Sequence, residues 1–335
     1  MLEISVVIPT WRRPAILKRV IAAFNEQILD PLRFEVLVVD SFSGDDTSSV
    51  ITSGALTSNF FITELQCHLN IVACKRNMGI DHANGKYILF LDDDCVPEPD
   101  HLINFLNAAK NSVGNKIVWC GGVNFEDALV SQSNYYRYRN NCHFSKNRIR
   151  LKELLFYEIV TMNMMVELKL LRQDRLRFNE DFIGYGGEDI ELGWRMVKSG
   201  YKLVPCDADI KHIEINGNII NFASKIFRSS RDGFPILQSV APEAISVLRG
   251  LSLLEEKISL SRINILDNIS QSIALKIIDS SILRAFIERL LVLSDKLSIF
   301  YSPHAYRFVL AGYHRLGRMS RLNDGDSNRF NSDKV

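Results

Sequence analysis

The 335-residue chain lacks the signs of several large protein classes. No apolar run approaches the ~18 residues that a membrane-spanning helix needs, so no crossing segment is expected. The N-terminus has no basic-then-apolar stretch, because Ser5–Thr10 already reads as a strand and a turn, so no secretory leader is expected. None of the six cysteines (Cys67, Cys74, Cys95, Cys120, Cys142, Cys206) forms a C-x-x-C pair, and most sit in apolar runs. They read as reduced core thiols of a cytosolic protein, which argues against a disulfide frame or a zinc site. The turn after the first strand, Pro9-Thr10-Trp11-Arg12-Arg13-Pro14, has none of the glycines of G-x-G-x-x-G, which discounts a dinucleotide-dependent oxidoreductase. The formal net charge is only +1, so nothing argues for nucleic acid as a partner. No internal repeat is visible.

What is present is ordinary for a globular protein: 47% hydrophobic and 24% charged residues. The length suits one large domain or two smaller ones. Charge is unevenly spread. Residues 216–335 hold 16 Lys/Arg against 11 Asp/Glu, a net +5, which leaves the preceding part at −4. An acidic first part suits a cation site, and a basic tail suits an anionic surface.

The chain is organised around Tyr87-Ile88-Leu89-Phe90-Leu91-Asp92-Asp93-Asp94. Five successive apolar residues predict a strand buried on both faces. Three carboxylates follow where that strand leaves the sheet, the edge at which open α/β sheets bind ligands. They form either a solvated acidic turn or a site for a hard cation with oxygen ligands. Strands are also expected at Ile4–Ile8, Phe34–Val39, somewhere in 65–72, at Lys116–Gly122, Glu158–Val166 and Tyr201–Pro205, with helices between them, including 14–28 and 74–83. This alternation predicts a parallel, doubly wound sheet. Residues 124–153 look irregular, aromatic and polar. Gly186-Gly187-Glu188-Asp189 is a glycine-rich turn that opens a helix, and His212 follows the last strand.

These features in this order, from residue 3 to about 215, resemble the family 2 glycosyltransferases of the GT-A fold. Beyond residue 215, apolar periodicity predicts an α-helical C-terminal extension over 216–322, and polar composition a disordered tail over 323–335. For 1–215 the resemblance implies a mostly parallel, Rossmann-like α/β sheet. It implies a nucleotide-sugar donor and Mn²⁺ or Mg²⁺ to neutralise the diphosphate leaving group. Asp94, the last residue of the DXD-type motif, then corresponds to a metal ligand, and so does His212. Asp92 and Asp93 correspond to donor contacts. By the same resemblance, Pro9, Thr10 and Arg13 correspond to the turn that lines the nucleotide pocket, Asp40 to the acidic residue that recognises the base, and Arg76 and Asn77 to the segment beside the diphosphate. Asp40 departs from the family pattern in being followed by Ser41-Phe42-Ser43. Asp189 corresponds to the catalytic base, and Glu188, Gly187 and Asn163 to acceptor contacts.

The expected function is metal-dependent, inverting transfer from a nucleotide sugar, a UDP-sugar by expectation, to a glycan or lipid-linked acceptor in capsule, O-antigen or exopolysaccharide synthesis. The alternative is a non-catalytic relative that binds glycans or proteins. In the tail, Ile245, Leu248, Leu251 and Leu254 form one apolar stripe. Tyr306, Val309, Leu310, Tyr313 and Leu316 form a face opposite Arg307, His314, Arg318 and Arg321. That pattern fits either a helix lying on an anionic membrane at the cytoplasmic face, or one packed on its own domain or a second subunit.

Overall fold

The long apolar runs of the first ninety residues are strands of one sheet. The computed structural model describes residues 2–110, 112, 114–142, 153–248, 274–297 and 299–323. Two units separate: Met1–Ile183 with Glu188–Gly217, and Gly184–Gly187 with Asn218–Val335.

In chain order the first unit runs β1 (Ile4–Pro9), α1 (Pro14–Phe24), β2 (Phe34–Asp40), α2 (Thr47–Thr57), β3 (Phe61–Gln66), α3 (Val72–His82), β4 (Tyr87–Leu91), β5 (Cys95–Pro97), α4 (His101–Ala109), β6 (Ile117–Cys120), β7 (Val123–Asn124), α5 (Asp127–Gln132), α6 (Asn134–Cys142), β8 (Asn163–Glu167), α7 (Leu168–Gln173), α8 (Glu188–Lys198), β9 (Lys202–Pro205) and β10 (Ile210–His212). One sheet has the order β3-β2-β1-β4-β8-β6-β9, and a smaller one has β5-β10-β7. The large sheet is parallel except for β8, which runs antiparallel to β4 and β6. This is a GT-A-like α/β fold.

Period-two alternation sorts the strand side chains between two cores. Ile4, Val6, Ile8, Leu89 and Leu91 face one, and Val7, Leu37, Ile88 and Phe90 face the other. Helix α3 comes unusually close to β1, because a Cβ at Gly79 would lie 2.2 Å from Val7 Cγ1. All six cysteines are unpaired thiols, five of them buried and Cys142 exposed.

Several local expectations shift. The third strand ends at Gln66 rather than lying in 65–72, and it alternates exposed with half-buried residues, as an edge strand does. Two short helices, α5 and α6, occupy the described part of 124–153, and residues 143–152 lie outside the described residues.

The second unit is helical: α9 (Ile219–Arg228), a π-helical turn at Ser229–Gly233, α10 (Phe234–Val240), α11 (Pro242–Val247), α12 (Ser281–Leu297) and α13 (Pro303–Asn323). Helix α13 is its central element. Tyr306 and Val309 are buried. A Cβ at Gly317 would lie 2.4 Å from the Phe227 carbonyl, so α13 and α9 meet backbone to backbone. Of the cations opposite the apolar face, His314 is buried and Arg318 half-buried, while Arg307 is exposed. His314 Nδ1 lies 2.5 Å from Ser230 Oγ, and Arg315 donates twice to Asp279, at 2.6 and 2.8 Å. Arg318 sits 4.5 Å above the Phe234 ring. Where these side chains lie inward, they find partners on helices of the same unit. Of the earlier stripe, Ile245 and Leu248 are buried, while Leu251 and Leu254 lie outside the described residues. Among the described residues no helix is long and apolar enough to cross a membrane.

Candidate active site

The site begins where β4 ends. Asp92 follows Leu91, and its carbonyl accepts from the Cys95 amide at 3.1 Å, closing a tight turn that leads into β5. Strand β10 pairs antiparallel with β5, placing His212 opposite Cys95, and the Ile213 amide donates to the Asp94 carbonyl at 2.7 Å. The small sheet therefore brings a residue 118 positions downstream to the acidic turn: His212 Nε2 lies 3.5 Å from Asp94 Oδ1. The Cys95 thiol donates to that same oxygen at 3.7 Å, and burial followed by the nearby Asp94 charge pushes its pKa well up. Cys95 is thus held as a thiol rather than a thiolate ligand.

The turn after β1 closes over the other side of the triplet. Pro9 is the last, buried residue of that strand. Thr10 Oγ1 donates to Asp93 Oδ2 at 2.7 Å. Arg13, half-exposed at the start of α1, donates from one nitrogen to Asp93 Oδ1 at 3.0 Å and Asp94 Oδ2 at 2.9 Å. Asp93 is buried, and the resulting desolvation raises its carboxyl to about 6, against the pull of Arg13 and with the push of Asp94. Two neighbours complete this side. Asp40, at the end of β2, accepts from the Ser43 amide at 2.9 Å and the Ser43 hydroxyl at 2.5 Å. Lys75 donates to the Thr10 carbonyl and to Asn70 Oδ1, each at 2.7 Å. Burial lowers its ammonium pKa to about 8 even with Asp40 and Asp93 nearby.

A second carboxylate group stands at the first turn of α8. Arg76, buried and 5.1 Å from the Phe178 ring, bridges the two groups: it donates to Asp92 Oδ1 at 2.9 Å and to Glu188 Oε1 at 3.2 Å. Asp189 Oδ1 accepts from the Ile190 amide at 2.9 Å. Desolvation, then the Glu188 charge, raises the Asp189 carboxyl well above the usual range, with Arg76 opposing. A carboxylate with a raised pKa at a helix start is suited to taking up a proton. Gly187 belongs to the second unit and has φ +99°.

Two residues expected to touch substrate are otherwise employed. Asn163 is fully buried, and its amide nitrogen donates to the Gly122 and Ala208 carbonyls at 2.9 and 2.8 Å. Its Oδ1 lies 2.9 Å from His101 Nε2. It joins the two sheets and has no polar group left for an acceptor. Asn77 is likewise buried, donating to the Phe178 carbonyl at 2.9 Å and to Glu180 at 2.7 Å while its Oδ1 accepts from the Phe178 amide at 2.9 Å. It pins the 178–180 segment. Sequence reasoning gave no role to Lys75 or Ser43. The signal for Lys75 was a lysine inside a buried helical stretch, which needs an anionic or carbonyl neighbour.

Among the described residues no three His, Cys, Asp or Glu side chains form a ready metal cage. The fit of a divalent cation rests on Asp94 and His212. Ligands in adjacent octahedral positions lie about 3 Å apart when bonds are about 2.1 Å, close to the observed separation. A hard cation that keeps waters and substrate phosphates needs only one or two protein ligands.

Residues 5–170 match the family model described as "Glycosyl transferase family 2". The chain carries a family 2 glycosyl transferase domain. This domain is similar to validoxylamine A glucosyltransferase of Streptomyces hygroscopicus subsp. limoneus, 29% identical over 220 residues, 59% of this chain and 48% of that protein. It is also similar to a Methanococcus voltae enzyme, dolichyl N-acetyl-alpha-D-glucosaminyl phosphate 3-beta-D-2,3-diacetamido-2,3-dideoxy-beta-D-glucuronosyltransferase. The two are 24% identical, over 60% of this chain and 63% of that one. The chain therefore spans about half to two thirds of the length of these relatives. Among solved structures, mannosyltransferase PcManGT from Pyrobaculum calidifontis, in complex with GDP-Man and Mn²⁺, shares the fold at TM-score 0.60 and 18% identity, covering 97% of this chain and 88% of that one.

Proposed function

We propose that the chain is a metal-dependent, inverting glycosyltransferase that moves a sugar from a nucleotide sugar to a glycan or lipid-linked saccharide in cell-surface polysaccharide assembly. The observation that carries this reading is the division of five carboxylates into two groups joined by Arg76. One group, with His212, suits a cation, and the other holds a carboxylate suited to accept a proton. The relatives' names supply the lipid-linked acceptor class, because the Methanococcus enzyme is named for a dolichyl-phosphate-linked sugar.

Asp94 and His212 would hold Mn²⁺ or Mg²⁺, which when bound neutralises the charge of the diphosphate leaving group. Arg13 keeps the Asp93 and Asp94 carboxylates oriented, and Thr10 fixes the Asp93 rotamer. Asp189 takes the proton from the acceptor hydroxyl as that oxygen bonds to the anomeric carbon. The bond from that carbon to the diphosphate oxygen breaks on the opposite side, and a nucleoside diphosphate leaves. Glu188, oriented by Arg76, faces the acceptor. Asp40 faces the base. Ser43 donates once to each Asp40 oxygen, and each oxygen keeps a lone pair for a donor of the base. The proposed donor is a UDP-sugar.

The test is a thermal-shift and turnover screen of nucleotide sugars with Mn²⁺ and with EDTA. A donor at 100 times its Kd stabilises by about 2.7 kcal/mol. The expected result is stabilisation of the wild type by a UDP-sugar only with metal, loss of the effect in Asp94→Ala, and binding without turnover in Asp189→Asn. If no nucleotide sugar stabilises the wild type under any condition, the transferase reading fails.

A further inference from the structure

Helix α12 carries an apolar stripe that remains exposed. Ile282, Phe286, Leu290, Leu293 and Leu297 recur at three- and four-residue spacing and so share one face. They are 84%, 58%, 48%, 52% and 56% exposed, and Phe300, just past the helix, is 87% exposed. At 1.5 Å per residue the stripe is about 22 Å long. An apolar face of this extent on a soluble surface marks a contact with something else.

The charges beside it are sorted by sign. The acids of this region turn inward: Glu288 accepts from the Tyr313 hydroxyl at 2.9 Å, and Asp279 holds Arg315 through two hydrogen bonds. Asp295 is half-buried. The cations Lys276, Arg289 and Lys296 are exposed, and among the described residues of 274–300 no carboxylate is. An apolar stripe flanked only by cations is complementary to a layer with an apolar interior and an anionic surface. A second copy of the chain is a poorer fit, because it would bring the same exposed cations and, among the described residues of 274–300, no exposed carboxylate to meet them.

We infer that the exposed face of α12 docks on an anionic lipid bilayer, with Phe286, Leu290 and Leu293 entering the headgroup–acyl boundary and Arg289 and Lys296 meeting lipid phosphates. This goes beyond the transferase reading and stands without it.

The test is co-sedimentation of the full-length chain with phosphatidylglycerol-containing vesicles and with phosphatidylcholine vesicles, in the absence of any nucleotide sugar. Three proteins are compared: wild type, Phe286→Ser with Leu290→Ser, and Arg289→Glu with Lys296→Glu. Light scattering gives the solution mass of each, and circular dichroism checks that each is folded. The expected result is salt-sensitive binding of the wild type to the anionic vesicles only, reduced at least about tenfold in both variants. No binding by the wild type overturns the inference, and so does equal binding by all three proteins. A wild-type dimer that ignores vesicles and becomes a monomer in the Phe286/Leu290 variant also overturns it, and assigns the face to a second copy.

Discussion

Arg76 is buried between Asp92 and Glu188, so its charge is shared by the strand-end turn and the start of α8. Removing such a cation leaves carboxylates facing one another in a partly desolvated place. The proton affinity of Asp189 has consequences that can be measured. Its carboxyl is raised by burial and by Glu188, to about 7. If Asp189 is the base, it acts only when ionised, so the transfer rate is expected to rise with pH through about 7 and then level off. The effect on stability has the opposite direction. A native carboxyl that binds its proton more tightly than the unfolded one favours folding at low pH, and that advantage is lost as pH rises from the unfolded value to about 7. Asp189→Asn removes this loss. Its melting temperature should therefore gain on the wild type as pH rises across that window, and a melting series without substrate checks this.

At the scale of elements, the contact between α3 and β1 leaves no room for a methyl group at Gly79. Gly79→Ala is expected to destabilise by about 1–3 kcal/mol through overpacking against Val7, measured by denaturant unfolding. The central strands were legible because strands buried on both faces are written as near-continuous apolar runs: Ile4–Ile8 broken only by Ser5, Phe34–Val39 broken only by Glu35, and Tyr87–Leu91 unbroken. The direction of β8 was not legible, since an apolar run has no sign for parallel or antiparallel pairing. The small sheet was not legible either. Its strands have three, two and three residues, too short to show a period, yet it is what sets His212 beside Asp94. The positions of the acidic turn, Thr10, Arg13 and Arg76 could be read from the sequence. Their pairings could not, because one guanidinium can reach carboxylates far apart in the chain. Asn77 and Asn163 looked like ligand contacts because a buried amide and a ligand-binding amide have the same letter.

At the scale of the whole molecule, the second unit claims the four residues Gly184–Gly187 from the middle of the chain. They lie against the π-helical turn, where a Cβ at Gly233 would sit 1.7 Å from the Gly186 carbonyl oxygen and a Cβ at Gly184 would sit 2.4 Å from Asp232 Cβ. Gly233→Ala must displace that loop. It is expected to destabilise this unit by about 1–3 kcal/mol through overpacking, measured by denaturant unfolding.

The cysteine pattern also has a practical consequence. Five thiols are sealed in the interior, and Cys142 alone is exposed, at the end of α6. The folded protein should therefore take up one maleimide dye per chain, against six in denaturant, counted by mass spectrometry. A fluorophore at Cys142 would give a single-position optical reporter, built on the natural sequence, for watching ligands arrive in real time.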